Sequence, residues 1–458
     1  MRFSRENERQ RIRRRWSRRA FMRTAVSAGM AGLTLPGILE LQARASETRA
    51  PKDTAVIQIW LGGGPSHFET YDPKPLAPAE VRGPFGVIGT KLPGVRVCEL
   101  MPRQAALMDK LAIIRSVRHT TDDHHTGMHW CITGHFANAT GNFPPTHPST
   151  GAVTARLRGA NEPGMPPYVQ LGFKSGNPVY DANHHAAYLG GGYEPFRVTD
   201  DPSDGGFRVD NLQLASGMTL DRLDDRRAML ARFDRIRSEI DSSGMMGTMD
   251  RYHQTALDLV TGPKAREAFD LSREDPKLRD RYGRNRWGQS ALLARRLVEH
   301  GVTFVTVNTD PHSFTWDMHS SLTKAGGNSA AIQEVGPTLD NMVATLVEDL
   351  CNRGLDRKVL VLVWGEFGRT PRINATGGRD HWGSAMSVLM AGGGFEMGQV
   401  IGSTNAKGEV PKDRPLWPQD LVATMYHHLG IDPTHPFLNN SGRPIPVLSN
   451  GEVIRELV

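Results

Sequence analysis

Cysteine is scarce in this chain. Only three of its 458 residues are cysteine, at Cys98, Cys131 and Cys351, and this odd number lacks the spacing of a thiolate metal site. Disulfides are therefore excluded as the framework of the fold. The chain also lacks a phosphate-binding loop and a dinucleotide-binding fingerprint, because neither pattern surrounds the three glycines at residues 62–64. We assign no nucleotide cofactor to it.

A long, strongly apolar run is also missing. The amino-terminal run at residues 24–41 is rich in Ala and Gly and contains Ser, Thr and Pro, so it falls short of the roughly 20 strongly apolar residues that span a membrane. The preceding residues 17–23, SRRAFMR, match a twin-arginine export signal, and Ala43 and Ala45 are small residues where a signal peptidase reads. We predict a twin-arginine signal peptide at residues 1–45, and a periplasmic or extracellular protein with no transmembrane helix in the mature chain.

Positive charge is concentrated in residues 1–45, the predicted signal peptide. Residues 1–45 hold eleven Arg and three Glu, a net charge of +8, and because the whole chain carries +6, residues 46–458 carry −2. The mature chain therefore has no net basic charge, and binding to nucleic acid is not expected. The twin-arginine route carries folded proteins, often with a cofactor already inserted, so it favours a metal or another prosthetic group. No pattern indicates an oligomeric state.

Apolar runs alternate with amphipathic segments along the mature chain. Residues 359–364, VLVLVW, form an unbroken apolar run, which is typical of a parallel strand covered on both faces. Further strands are predicted at residues 55–61, 111–117, 302–308 and 387–391, and helices at residues 101–108, 124–134, 220–240, 249–259, 287–300, 332–353 and 418–429. We predict a three-layer α/β domain with a mainly parallel central sheet over residues 46–458, with the helical stretch at residues 216–300 packed on it.

Residues with metal-binding or acid–base chemistry follow four of the predicted strands. They are His67 and Asp72 after the first strand; His119, Asp122, Asp123, His124, His125 and His129 after the second; Asp310, His312, Asp317 and His319 after the third; and Glu366 and His381 after the fourth. Because parallel strands present their carboxyl ends at one edge of a sheet, we expect these residues to build one site. Imidazoles with carboxylates indicate a divalent metal, zinc, manganese or calcium, and they suit zinc or manganese better than calcium, which prefers an oxygen-only shell.

Glu366 and His381 also have structural alternatives. Glu366 could form an ion pair with Arg369, three residues later, and His381 could pack against Trp382. In the metal interpretation, His381 is a neutral ligand, and Asp380 or a backbone carbonyl fixes its tautomer. The sequence leaves both interpretations open.

The histidines after the second strand have two interpretations as well. His125 and His129 lie four residues apart on one face of a predicted helix, which suits two ligands of one metal. Alternatively, they are solvated residues of a helix capped by Asp122 or Asp123. Gly134 is the predicted end of this helix.

Five segments of the mature chain resemble the DUF1501 family of exported proteins. They are WLGGGPSHFETYDPKP at residues 60–75, ARRLVEHGVTFVTV at 294–307, WDMH at 316–319, WGEFGRTP at 364–371 and GRDHW at 378–382. This family is similar to the alkaline phosphatase and sulfatase superfamily. The resemblance implies an alkaline-phosphatase-like fold and an exported, metal-dependent hydrolase of sulfate or phosphate esters, acting on a small-molecule or polysaccharide ester.

The resemblance also assigns roles to single residues. It implies that the metal ligands are Asp317, His319, Glu366, His381, His67 and Asp72. It implies that the catalytic residues are His124, His125 and Arg369. His124 stands nine residues before Thr133, where sulfatases have a nucleophilic cysteine, so no Ser, Thr or Cys occupies that position. Thr121 and Thr126 are the nearby hydroxyls. The alternative function is a non-catalytic envelope or polysaccharide-binding protein that keeps the fold.

Overall fold

A central sheet of eight strands organises the protein. The computed structural model describes residues 53–137, 145–172, 184–209, 262–309, 315–324 and 331–458, and the fold is given for these residues. Along the sheet the strand order is β12-β4-β11-β8-β1-β7-β5-β6. The strands are β1 (Ala55–Trp60), β4 (Leu111–Val117), β5 (Tyr168–Leu171), β6 (Phe196–Val198), β7 (Phe304–Asn308), β8 (Val359–Trp364), β11 (Met386–Gly392) and β12 (Gln399–Ile401).

Short two-stranded ladders lie outside this sheet. They pair β2 (Val87–Gly89) with β3 (Arg96–Cys98), β9 (Gly368–Arg369) with β10 (His381–Trp382), β13 (Ser403–Thr404) with β14 (Pro411–Asp413), and β15 (Pro436–Leu438) with β16 (Pro444–Pro446). The β9–β10 ladder sets His381 opposite Arg369. This ladder returns the chain to the end of β8, which it had just left.

The central sheet is parallel except for one strand. Strand β1 pairs in parallel with β7 and β8, β5 pairs in parallel with β6 and β7, and β12 pairs in parallel with β4. Only β11 runs antiparallel to its neighbours β4 and β8. The register places Trp60, Asn308 and Trp364 side by side, so β1, β7 and β8 end at one edge of the sheet.

Helices cover both faces of the sheet. They are α1 (Ala79–Arg82), α2 (Pro102–Ala106), α3 (His124–Thr133), α4 (Thr150–Leu157), α5 (Pro263–Phe269), α6 (Pro276–Tyr282), α7 (Arg286–Glu299), α8 (Ile332–Asn352) and α9 (Pro418–Leu429). Alternate side chains of β1 point to opposite faces. Ile57 and Ile59 pack into one core with α7 and α8, and Val56 and Trp60 pack into a second core with α3 and α9. The three-layer α/β fold with a mainly parallel sheet is therefore confirmed.

The four strands predicted to carry the site all lie in this one sheet. Gly134 ends α3 in the left-handed conformation with φ 77°, as predicted. The predicted signal peptide at residues 1–45, the helices at residues 220–240 and 249–259, and the pair Asp310 and His312 lie outside the described residues. Within the described ranges, no helix has the length and apolar character needed to cross a membrane.

Candidate metal centre

Asp317 lies at the centre of a cluster of histidines beyond the carboxyl end of β7. The Nε2 atom of His319 lies 2.9 Å from Asp317 Oδ1, and that of His381 lies 3.0 Å from the same oxygen. The Nε2 atom of His124 lies 3.5 Å from Asp317 Oδ2. Ligand atoms of His124, Asp317 and His381 all lie within 4.8 Å of one another. Residues that follow three different strands of the sheet thus meet at one point.

The outer nitrogen of each of these rings is held by a different acceptor. His124 Nδ1 lies 2.7 Å from Glu366 Oε1. His319 Nδ1 lies 2.9 Å from Asp380 Oδ1, and His381 Nδ1 lies 2.7 Å from the backbone carbonyl of Asp122. These acceptors require a proton on Nδ1, so the Nε2 atoms of the neutral rings carry lone pairs. A backbone carbonyl, one of the two predicted groups, therefore fixes the tautomer of His381.

The inward-facing atoms fit a divalent cation. His319 Nε2 and His381 Nε2 lie 2.8 Å apart, and both face the carboxylate of Asp317, so lone pairs of three groups converge. Converging lone pairs repel one another unless a proton or a cation lies between them. Imidazoles whose other nitrogen is held by a carboxylate or a carbonyl are the usual metal ligands in proteins. A mixed nitrogen and oxygen donor set suits zinc or manganese.

Contacts within the cluster shift the pKa values of Asp317 and His124 so that the charged form of each side chain is favoured. Burial by itself would raise the pKa of Asp317, but hydrogen bonds with His124 and His381 and the charge of Arg369 hold this pKa well below its usual range. Burial by itself would lower the pKa of His124, but hydrogen bonds with Asp317 and Glu366 outweigh it, and the pKa is raised. Asp317 is therefore a carboxylate at any pH near neutrality, as a metal ligand must be, whereas a cation that binds His124 must displace the proton that these contacts favour.

Glu366 contacts both His124 and the loop after β1. Its side chain is fully buried, and Oε1 accepts a hydrogen bond of 2.8 Å from the backbone N–H of Gly63 as well as the contact with His124. Oε2 is buried and has no hydrogen-bond partner among the described residues. Gly63 has φ 108°, and a Cβ there would lie 2.5 Å from the backbone nitrogen of Asp317. Gly63 therefore allows the loop after β1 to lie close to the backbone of Asp317.

Arg369 holds Asp317 and does not pair with Glu366. Its side chain is fully buried. The guanidinium donates to Asp317 Oδ1 at 2.5 Å, to the carbonyls of Gly64 at 2.8 Å and Arg379 at 3.0 Å, and to that of Gly63. With its donors used inside the protein, Arg369 fixes the position of the carboxylate. The ion pair between Glu366 and Arg369, one of the two sequence interpretations, is replaced by this arrangement.

The structure places His67 and Asp72 apart from the cluster. His67 is buried, and its Nε2 lies 3.0 Å from the carbonyl oxygen of Gly408. Asp72 forms ion pairs with Lys74 at 2.9 Å and with Arg115 at 3.6 Å. Both residues lie on the loop after β1, but their side chains are held by other parts of the protein.

His125 and His129 are not part of the cluster either. His129 is buried, its Nδ1 donates to the carbonyl of His135 at 2.9 Å, and burial lowers its pKa to about 4. Burial also lowers the pKa of His125. Asp123 caps α3 by accepting hydrogen bonds from the N–H and the hydroxyl of Thr126. The predicted cap is therefore present, but the histidines are not solvated as that alternative expected, because His129 is buried. His124, at the start of α3, faces Asp317.

The hydroxyls of Thr121 and Thr126 and the thiol of Cys131 are engaged in other contacts. Thr126 Oγ1 donates to Asp123 at 3.0 Å, and Thr121 Oγ1 accepts a hydrogen bond from the N–H of Asp123. Cys131 is buried, its Sγ lies 3.7 Å from the carbonyl of Glu366, and burial raises the pKa of this thiol. A thiol whose pKa is raised is a poor nucleophile.

Sequence reasoning predicted that a backbone carbonyl could orient His381 but did not identify it as that of Asp122. It missed the ring of Phe367, whose centroid lies 4.9 Å from that of His124 and 4.5 Å from that of His381. A carbonyl leaves no trace in the sequence, whereas Phe367, directly after Glu366, could have been proposed as the apolar wall of the site.

Three comparisons with known proteins were made. The family model described as "Protein of unknown function (DUF1501)" matches residues 53–458. No curated protein sequence matches the chain.

Among solved structures, the phosphonate monoester hydrolase SpPMH from Silicibacter pomeroyi is similar at 11% identity and a TM-score of 0.40, over 88% of this chain and 75% of that one. The PsFucS1 sulfatase from Pseudoalteromonas sp. has 12% identity and a TM-score of 0.36, over 85% and 70%. The lipoteichoic acid synthase LtaP from Listeria monocytogenes has 10% identity and a TM-score of 0.35, over 87% and 75%. Such low values carry no argument about activity.

Proposed function

We propose that this chain, which belongs to the DUF1501 family, is an exported, metal-dependent hydrolase of sulfate or phosphate esters. One observation carries the proposal: His124, Asp317 and His381 bring their ligand atoms within 4.8 Å of one another at the edge of the sheet. The side chains of Asp317 and His381 are each 20% exposed, and that of His319 is 42% exposed. The centre is therefore open to a substrate from solvent.

Each residue of the centre has a role in this proposal. Asp317, His124 and His381 hold the cation, with His319 beside them, and Arg369 fixes the carboxylate of Asp317. When bound, a divalent cation polarises an ester and stabilises the negative charge that develops on it. Glu366, Asp380 and the carbonyl of Asp122 keep the imidazoles in the tautomer that binds a cation.

We further propose that water attacks the ester directly. Thr121, Thr126 and Cys131 are each engaged in other contacts. A covalent route through one of these side chains therefore has no support among them. We propose export from the twin-arginine signal in the sequence, and the substrate as either a small-molecule ester or a polysaccharide ester.

A second candidate is a non-catalytic envelope or polysaccharide-binding protein that keeps the fold. It is favoured because His124 stands where a nucleophilic Ser, Thr or Cys would be expected. In that case a bound cation contributes stability and no chemistry. Both candidates predict metal binding, and only the first predicts turnover.

Metal content and turnover of the purified mature protein test the proposal. Elemental analysis should give at least one zinc or manganese per chain, and the protein should release nitrophenol from nitrophenyl sulfate, phosphate or phosphonate. Asp317→Asn should abolish both properties, because its carboxylate is central to the cluster. His427→Ala, at an exposed position of α9, is the matched control and should change neither. Metal binding without turnover of any ester would favour the non-catalytic candidate.

A further inference from the structure

Arg118 carries a charge that no carboxylate of the described ranges neutralises. It directly follows β4, its side chain is partly exposed, and its Nε atom is buried without a hydrogen-bond partner. A buried donor without an acceptor is costly unless a ligand supplies one. The guanidinium thus has unused hydrogen-bonding capacity.

A stack of aromatic rings holds this guanidinium in place. The Cζ atom of Arg118 lies 5.3 Å from the ring centroid of Trp417. Trp417 stacks on Trp130 at 5.8 Å, and Trp130 stacks on His119 at 5.7 Å. Stacking on an aromatic face restricts the guanidinium while leaving its N–H groups available for other partners. Arg118 is therefore oriented before any ligand arrives.

Other arginines of this region are used inside the protein. Arg369 donates to Asp317 and to backbone carbonyls. Arg379 pairs with Glu69 at 2.7 Å, and Arg115 donates to the carbonyl of Tyr71 at 2.8 Å. Arg118 differs because, among the described residues, its side chain contacts only Trp417 and its Nε has no partner, while its backbone N–H donates to the carbonyl of Leu416. A structural role as an ion pair does not explain it.

The stack is connected to the metal centre. His119, its innermost ring, places Nε2 2.5 Å from the carbonyl oxygen of Glu366. Arg118 also precedes His124 by six residues of one loop, which span at most about 20 Å when extended. The Cα atoms of Arg118 and His124 are therefore no farther apart than the length of a substrate of a few sugar-sized units.

We propose that Arg118 binds a second anionic group of the substrate, a sulfate, phosphate or carboxylate, away from the ester that is hydrolysed at Asp317. The planar guanidinium suits such groups because it donates two parallel hydrogen bonds to them. This inference rests on the proposed function and narrows its substrate class to esters that carry more than one negative charge.

Calorimetric titration of the mature protein with hexose disulfate, hexose monosulfate, hexose bisphosphate and hexose monophosphate tests the inference. Arg118→Ala should weaken binding of the doubly charged probes about tenfold or more and leave binding of the singly charged probes unchanged. Arg118→Lys should recover part of the loss, because it keeps the charge but not the planar fork. Arg357→Ala, an exposed arginine before β8, is the matched control and should have no effect. Circular dichroism checks that each variant is folded.

The two proposals fail in different ways. If the parent binds the doubly charged probes through Arg118 but hydrolyses no ester, the hydrolase fails and the binding site stands. If the parent hydrolyses esters but Arg118→Ala weakens both kinds of probe equally, or neither, the inference about Arg118 is overturned. Absence of any probe binding by the parent also overturns it.

Discussion

His319 and His381 face each other with their Nε2 atoms 2.8 Å apart, although 62 residues separate them in the chain. Asp380 holds the far nitrogen of His319, and the carbonyl of Asp122 holds that of His381. Two independent anchors thus aim both rings at the same point beside Asp317. This relationship adds His319 to the cluster of His124, Asp317 and His381 on which the proposed cation site rests.

Removing one anchor tests this expectation. Asp380→Asn replaces the carboxylate that fixes His319 with an amide, which no longer requires a proton on His319 Nδ1. We expect metal affinity to fall by about tenfold to a hundredfold, measured by competition with a chelating dye. Asp432→Asn, whose carboxylate bonds Thr434 in an exposed turn, is the control. Unchanged affinity in Asp380→Asn would show that His319 is not oriented for a metal.

Arg369 was predicted to be catalytic, and from its contacts we propose that it positions Asp317. Because its buried guanidinium bonds Asp317 and several carbonyls, we expect Arg369→Met to lower the free energy of unfolding by about 3–5 kcal/mol. Denaturant titration measures this change, with Arg443→Met at an exposed position as the control. If the variant kept the parent's stability and metal content but lost turnover, the arginine would act on substrate.

A direct attack by water predicts that no thiol is needed. Cys131→Ala should retain most of the parent's turnover, with stability lowered only by the small cavity, on the order of 1 kcal/mol. Alkylating reagents should leave activity unchanged, because Cys131 is buried and its pKa is raised. Complete loss of turnover in a folded Cys131→Ala protein would instead support a covalent intermediate.

Several buried histidines predict that acid destabilises the protein. Burial lowers the pKa of His428 to about 4, and its Nε2 lies 3.0 Å from the carbonyl of Ala55. The unfolded chain, with an ordinary histidine pKa of about 6.5, binds the proton more readily between pH 6.5 and pH 4. Stability therefore falls as pH falls through this window, by up to about 1.4 kcal/mol per pH unit for each such histidine.

The variant His428→Gln isolates one of these contributions. Its stability should depend less steeply on pH than that of the parent between pH 6.5 and pH 4, as measured by urea unfolding at a series of pH values. His435→Gln, at an exposed position, should keep the slope of the parent. Parallel curves for His428→Gln and the parent would contradict the lowered pKa.

The sequence predicted the fold well for segments in which the order of apolar and polar residues reflects which side chains are buried. Strand β8 has no polar residue because helices cover both of its faces, and such a run has few other interpretations. The bounds of α9, Pro418–Leu429, were predicted as the structure has them, because Pro418 and Gly430 mark its ends. Registers and strand order required the structure, since the apolar runs are interchangeable in sequence.

The site was predictable only in part. Strand ends correctly indicated that residues after β4, β7 and β8 converge, which brought His124, Asp317 and His381 together. The direction of a side chain within a loop cannot be read from its position. The sequence therefore did not show that His67 contacts the carbonyl of Gly408, or that Arg369 donates to backbone carbonyls.

The metal content of His381→Ala beside that of the parent tests the central claim most directly. His381 lies within the cluster, so its loss should lower the number of bound metal ions per chain, and the thermal stability should fall only by what the metal contributed. Elemental analysis and thermal unfolding, with His427→Ala as the control, give both quantities. Unchanged metal content with reduced stability would mean that His381 only packs beside Trp382, and it would contradict the metal centre proposed here.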